Sequence, residues 1–234
     1  MGSTTREELT LEVPHEVVRV AALWDRPAGR ARGRSVLLAH GSGADMRAPF
    51  LESMATGLCA RGFAVLRFRY PYMERMAREG RRRPPDRAPV LEAAHAAVLA
   101  HLLEREDGRR PILAGKSLGG RMSTHLAAKG ADAAGLVLFG YPLHPARRTE
   151  RRRSEHFPAL VQPALFLQGT RDELCDLSLL REALGTYGGQ ATLEVVEGAD
   201  HGFDVRARSG RTRAEVHAQL LDAVDRWERP AFPD

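Results

Sequence analysis

The 234-residue sequence is poor in cysteine, lysine and aromatic residues, and it has no long apolar run. Its two cysteines, Cys59 and Cys175, do not form a C-x-x-C pair. That argues against a metal site or a redox motif, and both read as buried or partly buried thiols of a reducing cytoplasm. No stretch approaches the ~18 apolar residues that span a membrane, so no membrane partner is expected. The N-terminus, MGSTTREELTLEVPHEV, lacks the apolar core of a secretory signal. It also fails the myristoylation pattern, because position 6 is Arg6. A cytoplasmic protein is expected. No repeat, low-complexity tract or linker divides the chain, so residues 1–234 read as one domain.

Lysine is confined to Lys116 and Lys129, and arginine supplies the rest of the 35 basic residues and the net charge of +5. Arginine clusters at Arg81–Arg83 and at Arg147, Arg148 and Arg151–Arg153. Such clusters suit phosphate or nucleic acid. No nucleic-acid motif accompanies them, and Glu79, Asp86, Glu150 and Glu155 lie close by. Solvated loops and no nucleic-acid partner are therefore expected.

What the sequence does contain is an alternation of short apolar runs with amphipathic stretches. That is the pattern of an α/β fold, a mostly parallel sheet flanked by helices on both faces. Strands are expected at Glu16–Trp24, Ser35–Ala39, Ala64–Tyr70, Pro111–Ala114, Gly135–Phe139, Ala164–Leu167 and Thr192–Val196. Helices are expected at Pro49–Ala60, Val90–Arg105, Leu118–Lys129, Leu177–Leu184 and Arg213–Trp227. Residues 72–89 and 142–158 read as irregular basic segments, with no large cap domain.

The chemistry concentrates where strands end. Gly115-Lys116-Ser117-Leu118-Gly119 is a G-x-S-x-G between a strand and a helix. A turn that sharp has room only for glycine beside the serine and leaves the hydroxyl exposed at the carboxyl edge of the sheet. The same residues end a phosphate-binding G-x-x-x-x-G-K-[ST], but its first glycine would fall on Arg110, and residues 111–114 are an apolar strand. His201 follows the last strand, where a general base must lie to reach Ser117. The other histidines fall elsewhere: His15, His95, His101, His125 and His217 on strands or helix surfaces, His144 and His156 in the basic loop, and His40 too early in the chain. Asp172 follows the strand Ala164–Leu167 and suits the acid that orients the histidine, with Glu173 and Asp176 as alternatives. The order Ser117, Asp172, His201 has spacings of 55 and 29 residues. His40-Gly41-Ser42-Gly43 follows the strand Ser35–Ala39. Oxyanion-hole amides are expected from Ser42 and Leu118, with His40, Gly41, Gly43 and Lys116 around the substrate.

Taken together, these four motifs resemble the α/β-hydrolase superfamily over nearly the whole chain. The strings His-Gly-Ser-Gly-Ala-Asp-Met and Gly-Lys-Ser-Leu-Gly-Gly-Arg-Met look like a dienelactone-hydrolase-like group related to the testis-expressed hydrolase-like protein. Dienelactone hydrolases proper carry a cysteine nucleophile, and this chain has Ser117 there. The resemblance implies a serine hydrolase of small esters, with no metal or organic cofactor. Thioesterase or peptidase chemistry on the same triad is one alternative, and a non-catalytic interaction module on a hydrolase fold is another. Nothing specifies an oligomeric state.

Overall fold

A computed structural model describes residues 4–14 and 18–231. Among them run eight strands in one sheet, ordered β1-β2-β4-β3-β5-β6-β7-β8. The strands are β1 (Thr5–Val13), β2 (Val18–Arg26), β3 (Ser35–Ala39), β4 (Ala64–Phe68), β5 (Ile112–Lys116), β6 (Gly135–Phe139), β7 (Ala164–Gly169) and β8 (Ala191–Val196). From β4 onward every neighbour is parallel, while β1 and β2 add an antiparallel edge.

The parallel strands are continuous apolar runs because both faces are covered. Leu37, Leu113 and Leu138 point to one face, where α3 (Ala88–Arg105), α4 (Leu118–Ala128) and α5 (Leu177–Leu184) pack. Val36, Ile112 and Val137 point to the other, against α1 (Pro49–Ala60) and α6 (Arg213–Ala231). Each helix buries an apolar stripe, and the six parallel strands β3–β8 point their carboxyl ends to one edge, with the order reversing around β3 and β5. Loops from β3, β5, β7 and β8 converge there.

Three sequence expectations change. β1 pairs over its full length with β2, although its sequence, TREELTLEV, is half polar. As an edge strand it buries Leu11 and Val13 on one face and shows Glu8, Thr10 and Glu12 to solvent. Residues 72–89 are not one irregular segment, because α2 spans Pro71–Glu79. Proline occupies its first turn, where no amide is needed, and Gly80 ends it with a left-handed φ of 66°. His95 does not sit on a helix surface but is fully buried in α3. The expected strand start at Glu16, and His15, lie outside the described residues.

Candidate active site

β5 ends at Lys116 and α4 begins at Leu118, so the chain reverses direction at Ser117 alone. Ser117 adopts φ 51° and ψ −112°, a region that side chains rarely visit and that costs roughly 1–3 kcal/mol. Its amide, donating to Phe139 O at 3.0 Å, helps hold it there. The two motif glycines are packing requirements. A Cβ at Gly115 would fall 2.3 Å from Gly119 C and Gly120 N, and one at Gly119 would fall 2.4 Å from Ala39 O.

His201 arrives from the turn after β8. A Cβ at Gly169 would lie 2.3 Å from Ala199 O, so this turn lies directly on the end of β7. The Asp200 carboxylate accepts the amides of Gly202 and Asp204 at 2.9 and 3.0 Å and shapes the turn around the histidine. His201 Nε2 is 2.9 Å from Ser117 Oγ, and Nδ1 is 2.7 Å from Asp172 Oδ2. The Asp172 carboxylate is buried and accepts two further hydrogen bonds, from Gln168 Nε2 at 2.6 Å and Leu174 N at 2.8 Å. An ionised carboxylate only accepts. The proton between it and the ring therefore belongs to Nδ1, and Nε2 is left to accept from the serine hydroxyl. The alternatives to Asp172 lie elsewhere: Asp176 caps α5 through the amides of Ser178 and Leu179, and Glu173 is exposed.

The loop after β3 closes the other side. A Cβ on Gly41 would come within 3.5 Å of Ser117 Cβ, so this backbone runs beside the nucleophile. His40 does not face a substrate. Its ring is fully buried, Nε2 accepts from Tyr70 N at 3.1 Å, and Nδ1 donates to Gly41 O at 2.8 Å. Burial keeps it neutral, pushing its pKa down to about 4. Tyr72 adds hydroxyl donation to Gly41 O and Ser42 O at 3.4 and 3.2 Å. The Gly41 carbonyl and the Ser42 N–H belong to one trans peptide, so fixing the carbonyl turns that N–H to the opposite side. Leu118, first in its helix, has an amide without an intrahelical acceptor. Gly43 is exposed with open space around its α-carbon.

The model of the alpha/beta hydrolase domain matches residues 32–229. The chain belongs to the α/β-hydrolase family. Its fold is similar to a dienelactone hydrolase from Anabaena variabilis, at 19% identity over 96% of this chain and 97% of that one, with a TM-score of 0.75. An alpha-beta serine hydrolase homologue from Coxiella burnetii gives 19% identity, coverage of 93% and 97%, and a TM-score of 0.74. A serine hydrolase without a lid from Xanthomonas campestris gives 21% identity, coverage of 96% for each chain, and a TM-score of 0.71.

In this α/β hydrolase, the Lys116 ammonium is engaged by the histidine turn. Lys116 is half-buried, its Nζ donates to His201 O at 2.5 Å, and it stands 5.5 Å from the centre of the Phe203 ring. Burial lowers its pKa to about 8, opposed by the nearby charges of Asp172 and Asp200. Lys116 thus ties the strand before the serine to the backbone of the histidine. Three residues escaped the sequence reading. Gln168 holds Asp172 while its Oε1 accepts from Tyr141 N at 2.9 Å. Tyr72 holds the Gly41 loop, and Asp200 shapes the histidine turn. A polar Gln closing the apolar run Ala164–Leu167 was the one available signal. Among the described residues no group of three or more His, Cys, Asp or Glu is placed to hold a metal ion, and no helix is long and apolar enough to cross a membrane.

Proposed function

We propose that the protein is a serine esterase that cleaves small esters through an acyl-enzyme. The observation that carries this is the unbroken chain of hydrogen bonds from Ser117 Oγ through His201 to the buried Asp172. In the first half-reaction Ser117 Oγ attacks the ester carbonyl carbon as its proton passes to His201 Nε2. Asp172 stabilises the imidazolium and keeps the ring oriented. The amides of Ser42 and Leu118 receive the oxyanion, and the positive end of α4 favours the same charge. The tetrahedral adduct collapses, the C–O bond to the alcohol breaks, and His201 returns its proton to the departing oxygen. Water then repeats the sequence on the acyl-serine, releasing the acid and restoring the hydroxyl. The strained Ser117 backbone supports the reading independently, because such strain persists where an exposed side chain is needed.

Nothing in these steps asks for a metal or organic cofactor, and the substrate is a small molecule rather than nucleic acid or lipid surface. Both cysteines are free and buried, which fits a reducing cytoplasm. A fluorophosphonate probe tests the reading directly. The expected result is stoichiometric labelling of the wild-type protein and none of Ser117→Ala, with p-nitrophenyl ester turnover lost in parallel. Folded protein that neither labels nor turns over esters would favour the interaction-module alternative, and turnover of thioesters or amides alone would reassign the bond.

A further inference from the structure

Most arginines of this chain meet a carboxylate: Arg67 meets Asp25, Arg75 meets Asp86, and Arg152 meets Glu182. Arg121 and Arg153 do not. Arg121 lies one turn beyond Ser117, its amide donating to Ser117 O at 3.0 Å. Four residues of helix rise place it about 6 Å along the axis, and helical side chains lean back toward the N-terminus, here toward the serine. Arg121 is half-buried, and its Nε is buried with no hydrogen-bond partner.

The second arginine comes from the irregular segment between β6 and β7, which crosses over α4. His156 Nε2 lies 2.8 Å from Thr124 Oγ1, and its ring centre is 4.6 Å from that of His125. Three residues earlier on each element stand Arg153 and Arg121. Arg153 is half-buried and firmly placed: its amide donates to Leu143 O at 2.8 Å, its Nη1 donates to Pro142 O at 3.2 Å, and its carbonyl accepts from Tyr141 at 2.6 Å. No carboxylate is within ion-pair distance of either guanidinium among the described residues. Glu155, two residues beyond Arg153, is exposed. His156 adds no compensating charge and is itself held neutral by burial. Burial, and after it the charge of Arg121, depresses the proton affinity of Arg153. Two partly desolvated, mutually repelling cations are unfavourable unless an anion joins them.

We propose that Arg121 and Arg153 form an anion-binding subsite beside Ser117, and that the esters cleaved there carry a carboxylate a few bonds from the scissile carbonyl. This deepens the serine-esterase reading and rests on it. A planar guanidinium pair grips a carboxylate through charge-assisted hydrogen bonds. The nearby serine then receives the far end of the same molecule as its ester. Lys116 is not the recognising cation, since its ammonium is already committed to His201 O.

The test compares mono-p-nitrophenyl glutarate with p-nitrophenyl butyrate in wild-type protein, Arg121→Met, Arg153→Gln and a control, Arg30→Gln, at the opposite end of the sheet. The wild-type and control proteins should favour the anionic ester in kcat/KM. Arg121→Met and Arg153→Gln should each cut that preference about tenfold. Calorimetric titration of Ser117→Ala with glutarate should show binding that Arg121→Met abolishes. That arm reads the subsite even if no ester is turned over. Equal preference for both esters, or an unchanged ratio in both arginine variants with no glutarate binding, overturns the subsite. Loss of fluorophosphonate labelling in the wild type would overturn the esterase reading instead.

Discussion

Asp172 and Asp25 are both buried carboxylates at the end of a buried strand or its turn, yet their surroundings differ in kind. Asp25 sits near the antiparallel edge. It meets Arg67, which has no exposed surface, through Nε at 3.1 Å and Nη2 at 2.5 Å, and also Arg6. Arg67 Nη1 reaches Met46 O and Glu52 at 2.8 and 2.7 Å. Arginine never gives up its proton in a protein, so this network is fixed at every working pH. Asp172 has an amide, a carboxamide and an imidazole around it instead. The Lys116 charge lies nearby, but the ring bonded to this carboxylate gains its charge in the reaction when it takes the Ser117 proton. A buried carboxylate beside a permanent cation tethers strands, and one beside a titratable ring leaves a proton free to move.

Removing one charge on each side should separate the two roles. Asp172→Asn keeps the shape but offers its amide to the ring, so His201 loses the tautomer that accepts from Ser117. Ester turnover should fall about 10⁴-fold, near 5.5 kcal/mol of barrier, with a melting temperature close to wild type. Arg67→Met does the reverse. It leaves the buried Asp25 with Arg6 as its one remaining ion-pair partner and should destabilise by about 3 kcal/mol in urea unfolding, while the molecules that remain folded still label with fluorophosphonate. An Asp172→Asn protein that unfolds before it loses turnover, or an Arg67→Met protein as stable as wild type, would erase the distinction.

These two regions also differ in how far the sequence discloses them. The site was legible because each part of it interrupts a pattern. G-x-S-x-G, His-Gly-Ser-Gly and Gly-Thr-Arg-Asp each close a continuous apolar run, and a parallel strand buried on both faces has no other way to end. Asp25 and Arg67 carry no such signal. They are 42 residues apart, one in what reads as a turn and one inside a strand, and only the β2–β4 pairing joins them. The edge strand β1 was missed because half its residues face water. Helix α2 was missed because its exposed residues are arginine and glutamate, and Tyr72 was hidden with it. His40 was assigned to the substrate because it precedes a glycine-rich loop. Only coordinates show both of its nitrogens already engaged.

His40 and His95 extend the comparison to acid. Burial lowers their pKa values from the ordinary 6.5 to about 4 and about 3. Between those values and 6.5 the unfolded chain binds protons that the folded chain refuses. Stability therefore rises with pH through this window and is lost on acidification. The His40 share of that loss amounts to about 3 kcal/mol between pH 6.5 and 4. His95→Phe should flatten the slope of unfolding free energy against pH there. An unchanged slope would show that the buried rings accept protons without loss of structure.

Lys116 lies between the two kinds of cation, since it is partly desolvated but, unlike Arg67, can release its proton. With a folded pKa near 8 against 10.5 when exposed, the unfolded chain holds the extra proton between those pH values. Stability from this group therefore rises from pH 8 toward 10.5, and Lys116→Met should lack that rise. Loss of the tie to His201 O should lower kcat about tenfold, close to 1.4 kcal/mol, with KM little changed, because the imidazole is misplaced and substrate contacts are not. Lys116→Arg restores a donor but not the fit, since a guanidinium is too broad for the space beside Gly140, where a single added Cβ would already stand 3.0 Å from Nζ. If Lys116→Met matched wild type in kcat while raising KM, the ammonium would belong with the substrate after all, and the tether from β5 to the histidine turn would be only a packing contact.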